Sequence, residues 1–228
     1  MITLISRKRI FDKYHKIAEE ISTMQRQFYD DDPVCFASEY DRIEYKTSFD
    51  AKDIHIETTK KLYSVLSFPH EDIETFPSAL SQKLTTLFAE LAVEQLVMIS
   101  HFKMNFVGNL NNTYPPLQVA FKKFEKITGH VDYDEAFTFD TKDLADLIEI
   151  AFWIGRCDAA GPEFIFFFDQ DEKLAFYLCK DGNVHAIEFE NEILSDMILS
   201  RTGWEFVHGS CVDKFSNTSK IEGRKSKR

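Results

Sequence analysis

Glu163-Phe-Ile-Phe-Phe-Phe-Asp169 is followed by Gln-Asp-Glu, then Lys173-Leu-Ala-Phe-Tyr-Leu-Cys179, then Lys-Asp-Gly-Asn, then Val184-His-Ala-Ile-Glu-Phe189. Three runs rich in aromatic and branched side chains, parted by two short polar clusters, read as an antiparallel three-stranded meander over 163–189. Asp181-Gly182 supplies the positive φ angles that a tight hairpin turn needs, so the second turn fixes the register. Ile165 to Phe168 is apolar without interruption, which predicts a strand covered on both faces, whereas 184–189 alternates and predicts cover on one. Three strands need an apolar partner surface, and helices must supply it.

Outward from this stretch, Ile10, Phe11, Tyr14, Ile17, Ile21 and Phe28 recur at helical spacing and predict a helix over 7–29, stopped by Asp30-Asp31-Asp32-Pro33. The segment 34–49 has irregular spacing and is expected to hold an edge strand. Helices are expected over 51–66, weakened by its β-branched residues, and over 78–103 with a wide apolar face. The apolar stretch 87–107 approaches the length of a membrane span, but Glu90, Glu94, His101 and Lys103 interrupt it, so it reads as a core helix. Shorter helices are predicted over 117–127, closed by Gly129, from Thr141 to the break at Gly161-Pro162, and over 191–200, with a further strand at 204–207 on an edge of the meander. The order predicts an α+β fold in which a mainly helical N-terminal part packs on a small antiparallel sheet in the C-terminal part. Residues 1–215 are read as a single domain with a sub-boundary at the turn-rich 108–116. Residues 216–228 read as a disordered basic tail, and Ile221-Glu-Gly-Arg224 matches a protease recognition sequence used in recombinant expression, so the tail is read as partly engineered and carries no functional weight.

Composition narrows function only coarsely. The chain has 22 phenylalanines and 8 glycines, which predicts an aromatic core and speaks against Gly-rich binding loops. The last nine residues hold five Lys or Arg and one Glu, so residues 1–219 carry 22 basic and 37 acidic side chains, a net of −15. Such a field repels phosphate backbones and favours a basic protein partner over direct nucleic-acid binding. Cys35, Cys157, Cys179 and Cys211 show no paired spacing, which suits a reducing compartment; the N-terminus lacks the order of a secretory signal, and a cytoplasmic location with no membrane association is expected.

No phosphate-binding glycine loop, zinc-protease, nucleophile-elbow or kinase motif occurs, and no cofactor is expected. Three weaker constellations remain. His130, Asp132 and Asp134 alternate in an extended segment, as hard-metal ligands would, but a solvated acidic loop is the plainer reading in so acidic a chain. Cys157, with Arg156 beside it and His185 on the third strand, has the makings of an activated thiol, but a helix C-terminus disfavours a thiolate and a structural cysteine is the plainer reading. His101, beside Lys103 and Asn105, could line a pocket, but a satisfied core or boundary histidine is the plainer reading. The preferred reading is a non-enzymatic acidic interaction protein, of the immunity or antitoxin type, that inhibits a basic nuclease-like partner; the alternative is a hydrolase or other enzyme using the His130 cluster or Cys157. Asp169, Asp171 and Glu172 at the first turn, with Glu188, Glu190 and Glu192 after the third strand, are the expected docking residues, provided the two groups fall at one end of the sheet.

Overall fold

The computed structural model describes residues 1–29, 32–50 and 59–215. The strands are β1 (Thr3–Ile5), β2 (Lys61–Ser67), β3 (Gln95–Ser100), β4 (Ala136–Asp140), β5 (Ile165–Asp169), β6 (Leu174–Leu178), β7 (Val184–Phe189) and β8 (Glu205–Phe206). They form one eight-stranded sheet in the order β1-β4-β3-β5-β6-β7-β2-β8, antiparallel at every pairing. The α+β class holds, and the small three-stranded sheet confined to the C-terminal part is corrected. Among the described residues, four of the eight strands come from the first 140 residues. Two of those, β2 and β3, lie in runs that the helical reading had absorbed, where Leu62, Val65 and Leu66, and Leu96, Val97 and Ile99, supply the branched side chains that pack on a pleated surface.

β5 shows why the sheet sits at the centre. Ile165, Phe166, Phe167 and Phe168 are each at most 3% exposed, because the strand's alternate side chains enter two different cores. Phe167 stacks on Phe176 at 5.0 Å within a large cluster formed with α4 (Phe76–Glu90), α5 (Pro115–Thr128), α6 (Leu144–Cys157) and α7 (Asp196–Thr202). Phe166 and Phe168 face a smaller cluster formed with α1 (Arg7–Lys13) and α2 (His15–Phe28), where Tyr14 meets the Phe168 ring edge-on at 5.1 Å. Full burial of each such ring stabilises by about 1.5–3 kcal/mol.

The remaining sequence expectations divide sharply. The helix expected over 7–29 breaks at Tyr14, whose φ of −113° and ψ of 90° separate α1 from α2. The helix expected over 78–103 is α4 alone: Ala92 takes a φ of 54° and the Val93 N–H donates to the Phe88 carbonyl at 2.8 Å, closing the helix before β3. Of the helix expected over 51–66, residues 51–58 lie outside the described residues and 61–66 belong to β2. In place of an edge strand at 34–49 there are a 3-10 turn at Pro33–Cys35 and α3 (Glu39–Thr47), which Ser38 caps through the Asp41 N–H at 3.1 Å. α5 ends at Gly129 as expected, with φ of 83°. The last strand, β8, pairs with β2 and not with β5, β6 or β7. The expected tail at 216–228 also lies outside the described residues.

The β6–β7 hairpin turns at Asp181-Gly182, where Gly182 has φ of 83° and a Cβ would stand 2.6 Å from the Phe215 ring. Phe215 is fully buried, and Arg156 lies over its ring at 5.0 Å while donating to Asp213 at 3.2 Å. Residues 213–215 are thus strapped onto the hairpin from the α6 side. Among the described residues no helix is long and apolar enough to cross a membrane.

Candidate functional site

The strand register decides whether the two acidic groups meet. Leu96 faces Asp169 across β3 and β5, Leu174 faces Glu188 across β6 and β7, and Gln95 faces Asp140 across β3 and β4. The β5–β6 turn and the end of β7 therefore lie at the same end of the sheet. Glu94, Asp140 and Asp143 join them there, since the Thr141 N–H donates to the Glu94 carbonyl at 2.9 Å and the Met1 ammonium pairs with both aspartates. Among the described residues these nine carboxylates lie along one rim of the sheet.

Those nine do different work. Asp169, 5% exposed, accepts the N–H groups of Asp171, Lys173 and Leu174 at 3.0, 2.8 and 2.7 Å and so builds the first turn. Glu188, 3% exposed, accepts from Ile193 at 2.5 Å and Leu194 at 2.8 Å, folding the chain back after β7. Glu172 takes a φ of 51° and reaches across to accept the Ile17 N–H at 2.9 Å, in the first turn of α2, where orphan donors and the positive end of the helix dipole favour an acid. Its burial raises the carboxyl pKa above the ordinary glutamate value. The expectation that all six docking residues face a partner is corrected for Asp169 and Glu188: both are buried because loop N–H groups need acceptors.

Asp171, Glu190 and Glu192 are exposed, as is Glu94. Asp171 pairs with Lys173 at 2.7 Å, which lowers its pKa, and Glu190 pairs with Lys16 at 3.0 Å. Glu94 and Glu192 have no ion pair among the described residues. Between the β3 start and the β5–β6 turn lies an open cleft of about 300 Å³, with Leu91, Val93, Leu174 and Ile193 as apolar lining and Glu94 and Asp171 among its polar residues. An aliphatic stem ending in a cation matches that lining.

No family model, curated protein or solved structure matches the chain. The candidate site therefore stands on its own geometry and charge.

The other constellations are dispersed. His130 and Asp132 are exposed, Asp132 accepting from Asn105 at 3.4 Å, and no group of three or more His, Cys, Asp or Glu among the described residues can hold a metal ion. Cys157 ends α6, while His185 stacks on Tyr177 at 4.7 Å on the α2 side of the sheet, so the sheet separates the proposed thiol from its base. Burial pushes the Cys157 thiol up to about 11, the protonated and unreactive form at neutral pH. His101 is 4% exposed and continues the β3–β5 ladder, its backbone N–H donating to the Phe164 carbonyl at 2.9 Å: a satisfied core histidine.

Sequence reasoning missed a buried polar network under α1. Arg7, its side chain 2% exposed, donates Nε and Nη2 to the two oxygens of Asp50 at 2.9 and 2.5 Å, and Nη1 to Ser100. Gln25 donates to Asp50 at 2.9 Å and to the His101 carbonyl at 2.6 Å. This network floors a cleft of about 1170 Å³, but that cleft is lined by charges of both signs, including Lys8, Lys103, Asp12 and Glu135. Arg7 sits among Lys8 and Arg9 in sequence, where nothing marks it as the one turned inward.

Proposed function

We propose that the protein is a non-enzymatic acidic interaction protein, of the immunity or antitoxin type, which docks a basic, nuclease-like protein through the rim of its sheet. The observation that carries this reading is the convergence of exposed Glu94, Asp171, Glu190 and Glu192 at one end of the sheet, beside a cleft with apolar lining. Carboxylates there occupy the place that phosphates take on a nucleic-acid-binding surface, and the net −15 of residues 1–219 steers such a partner from a distance. The enzyme alternative is disfavoured by the protonated state of Cys157 and by the separation of its would-be partners.

The test is capture from the native host at low salt, run in parallel with the wild-type chain and a Glu94→Lys/Asp171→Lys variant. The expected result is a basic protein retained by the wild type, released steeply by salt, and lost from the variant. Identical captured proteins from both would overturn the rim as a docking surface.

A further inference from the structure

β2 is the longest strand of the sheet, yet most of its outer edge has no partner among the described residues. The Glu190 N–H donates to the Lys60 carbonyl at 2.8 Å, so Lys60 and Glu190 form a hydrogen-bonded pair. Antiparallel pairs alternate in this respect, so Leu62, Ser64 and Leu66 bond to β7, while Lys61, Tyr63 and Val65 turn their backbone groups outward. Val65 uses its carbonyl to accept the Val207 N–H at 2.8 Å. Beyond that point β8 ends, and the N–H and C=O groups of Lys61 and Tyr63 face no described strand.

Natural sheets guard such edges with outward-reaching lysines, short strands or bulges. The lysine here does not serve: Lys61 folds its amine onto Glu19 at 3.2 Å and Glu20 at 2.9 Å, and its side chain is 9% exposed. Tyr63 is 65% exposed. On the α2 side of the edge opens a cleft of about 310 Å³ lined by Tyr63, Val65, Met24, Tyr177, His185 and Glu20. Edge backbone groups with an adjoining side-chain cleft are what strand addition uses, the first for affinity and the second for specificity.

We propose that the outer edge of β2 at 61–65 receives an extended segment of the basic partner as a ninth strand, with an apolar or aromatic side chain in this cleft. This rests on the reading of a basic partner given above. Lys61 pairs with Phe189, so the edge starts at the acidic rim beside Glu190, where a lysine or arginine at the end of the segment meets opposite charge. A second copy of the chain is disfavoured as the occupant, since it would bring two bodies of −15 together.

The experiment measures amide hydrogen exchange of the full chain by NMR at low salt with three synthetic octapeptides: alternating lysine and valine, its glutamate–valine counterpart, and the lysine–valine peptide N-methylated throughout. In the free chain the Lys61 and Tyr63 amides should exchange at least 10-fold faster than those of Leu62 and Ser64. Saturation with the lysine–valine peptide should slow the first pair at least 10-fold, and the N-methylated peptide should bind at least 10-fold more weakly. Binding of both lysine peptides alike, or binding with exchange at Lys61 and Tyr63 unchanged, would overturn strand addition while leaving the rim as a docking surface. Equal protection by the glutamate–valine peptide would overturn the basic occupant, and with it the proposed function. Slow exchange of Lys61 and Tyr63 in the free chain, or no binding by any peptide, would overturn the proposal outright.

Discussion

The rim of the sheet has an inner arc and an outer arc made of the same residue types. Asp169, Glu172 and Glu188 turn inward and accept backbone N–H groups of the β5–β6 turn, of α2 and of the chain after β7. Glu94, Asp171, Glu190 and Glu192 turn outward into solvent. Asp169 and Asp171 are two residues apart, and only the first holds the fold together. A carboxylate's role is set here by whether an orphan N–H lies within reach, and neighbouring positions in a turn differ completely in that respect. Mutating the two arcs should therefore give opposite phenotypes: lost stability for the inner, lost association for the outer.

The largest effect belongs to Asp169. Replacing it with alanine strips the acceptor from three N–H groups, that of Leu174 in the core, and should lower the unfolding free energy by about 3 kcal/mol. Urea denaturation with an unchanged m-value measures this, and a loss below about 0.5 kcal/mol would erase the distinction between the arcs. Glu188→Ala strips the acceptor from two N–H groups instead of three and should cost about 2 kcal/mol by the same measurement.

Glu172 sharpens the comparison because it is only half-buried. Alanine there removes a side-chain acceptor from the first turn of α2 and should cost about 1 kcal/mol. Glutamine keeps the acceptor and removes the charge. With its folded pKa raised above 4.5, Glu172 holds a proton in the native chain that the unfolded chain has released, so its titration contributes stability below pH 4.5 that is lost as pH rises through the folded value. The wild type should therefore lose stability relative to Glu172→Gln between pH 4 and neutrality. A difference that is constant with pH, or that grows the other way, would show that the cap outweighs burial.

How much of this was legible in the sequence follows from the range of the interactions. The branched and aromatic run at Ile165–Phe168 reports its own burial, because cover on both faces demands apolar residues at every position. The Asp-Gly turn and the Gly129 cap are equally local. The strand β3 was not legible: Leu87 to Ile99 is apolar enough to continue a helix, and what stops it is the left-handed backbone of Ala92, a residue with no preference for that conformation. The rim was half legible. Its carboxylates stand out in sequence, but their convergence depends on Leu174 facing Glu188 across strands, and their division into arcs depends on contacts such as Glu172 to Ile17, separated by 155 positions. The pairing of Arg7 with Asp50 is hidden for the same reason.

The smallest stability effect, and the one most telling for function, belongs to the outer arc. Asp171→Lys breaks an exposed pair with Lys173 and places like charges two residues apart in a solvated turn, where solvent screening should leave the denaturant midpoint at the wild-type value. Glu94→Lys reverses a carboxylate that has no ion pair among the described residues, and it should be as mild. Together they shift the rim by four charges. Association with a basic partner should slow and its dependence on salt should flatten, with the dissociation rate less affected, because rim charges act mainly on the encounter. Stopped-flow association across a range of ionic strength, on a variant shown to unfold at the wild-type denaturant midpoint, separates the two arcs. Unaltered association would assign the outer carboxylates to solubility of the sheet end alone, and an unfolded double variant would move Asp171 or Glu94 into the inner arc.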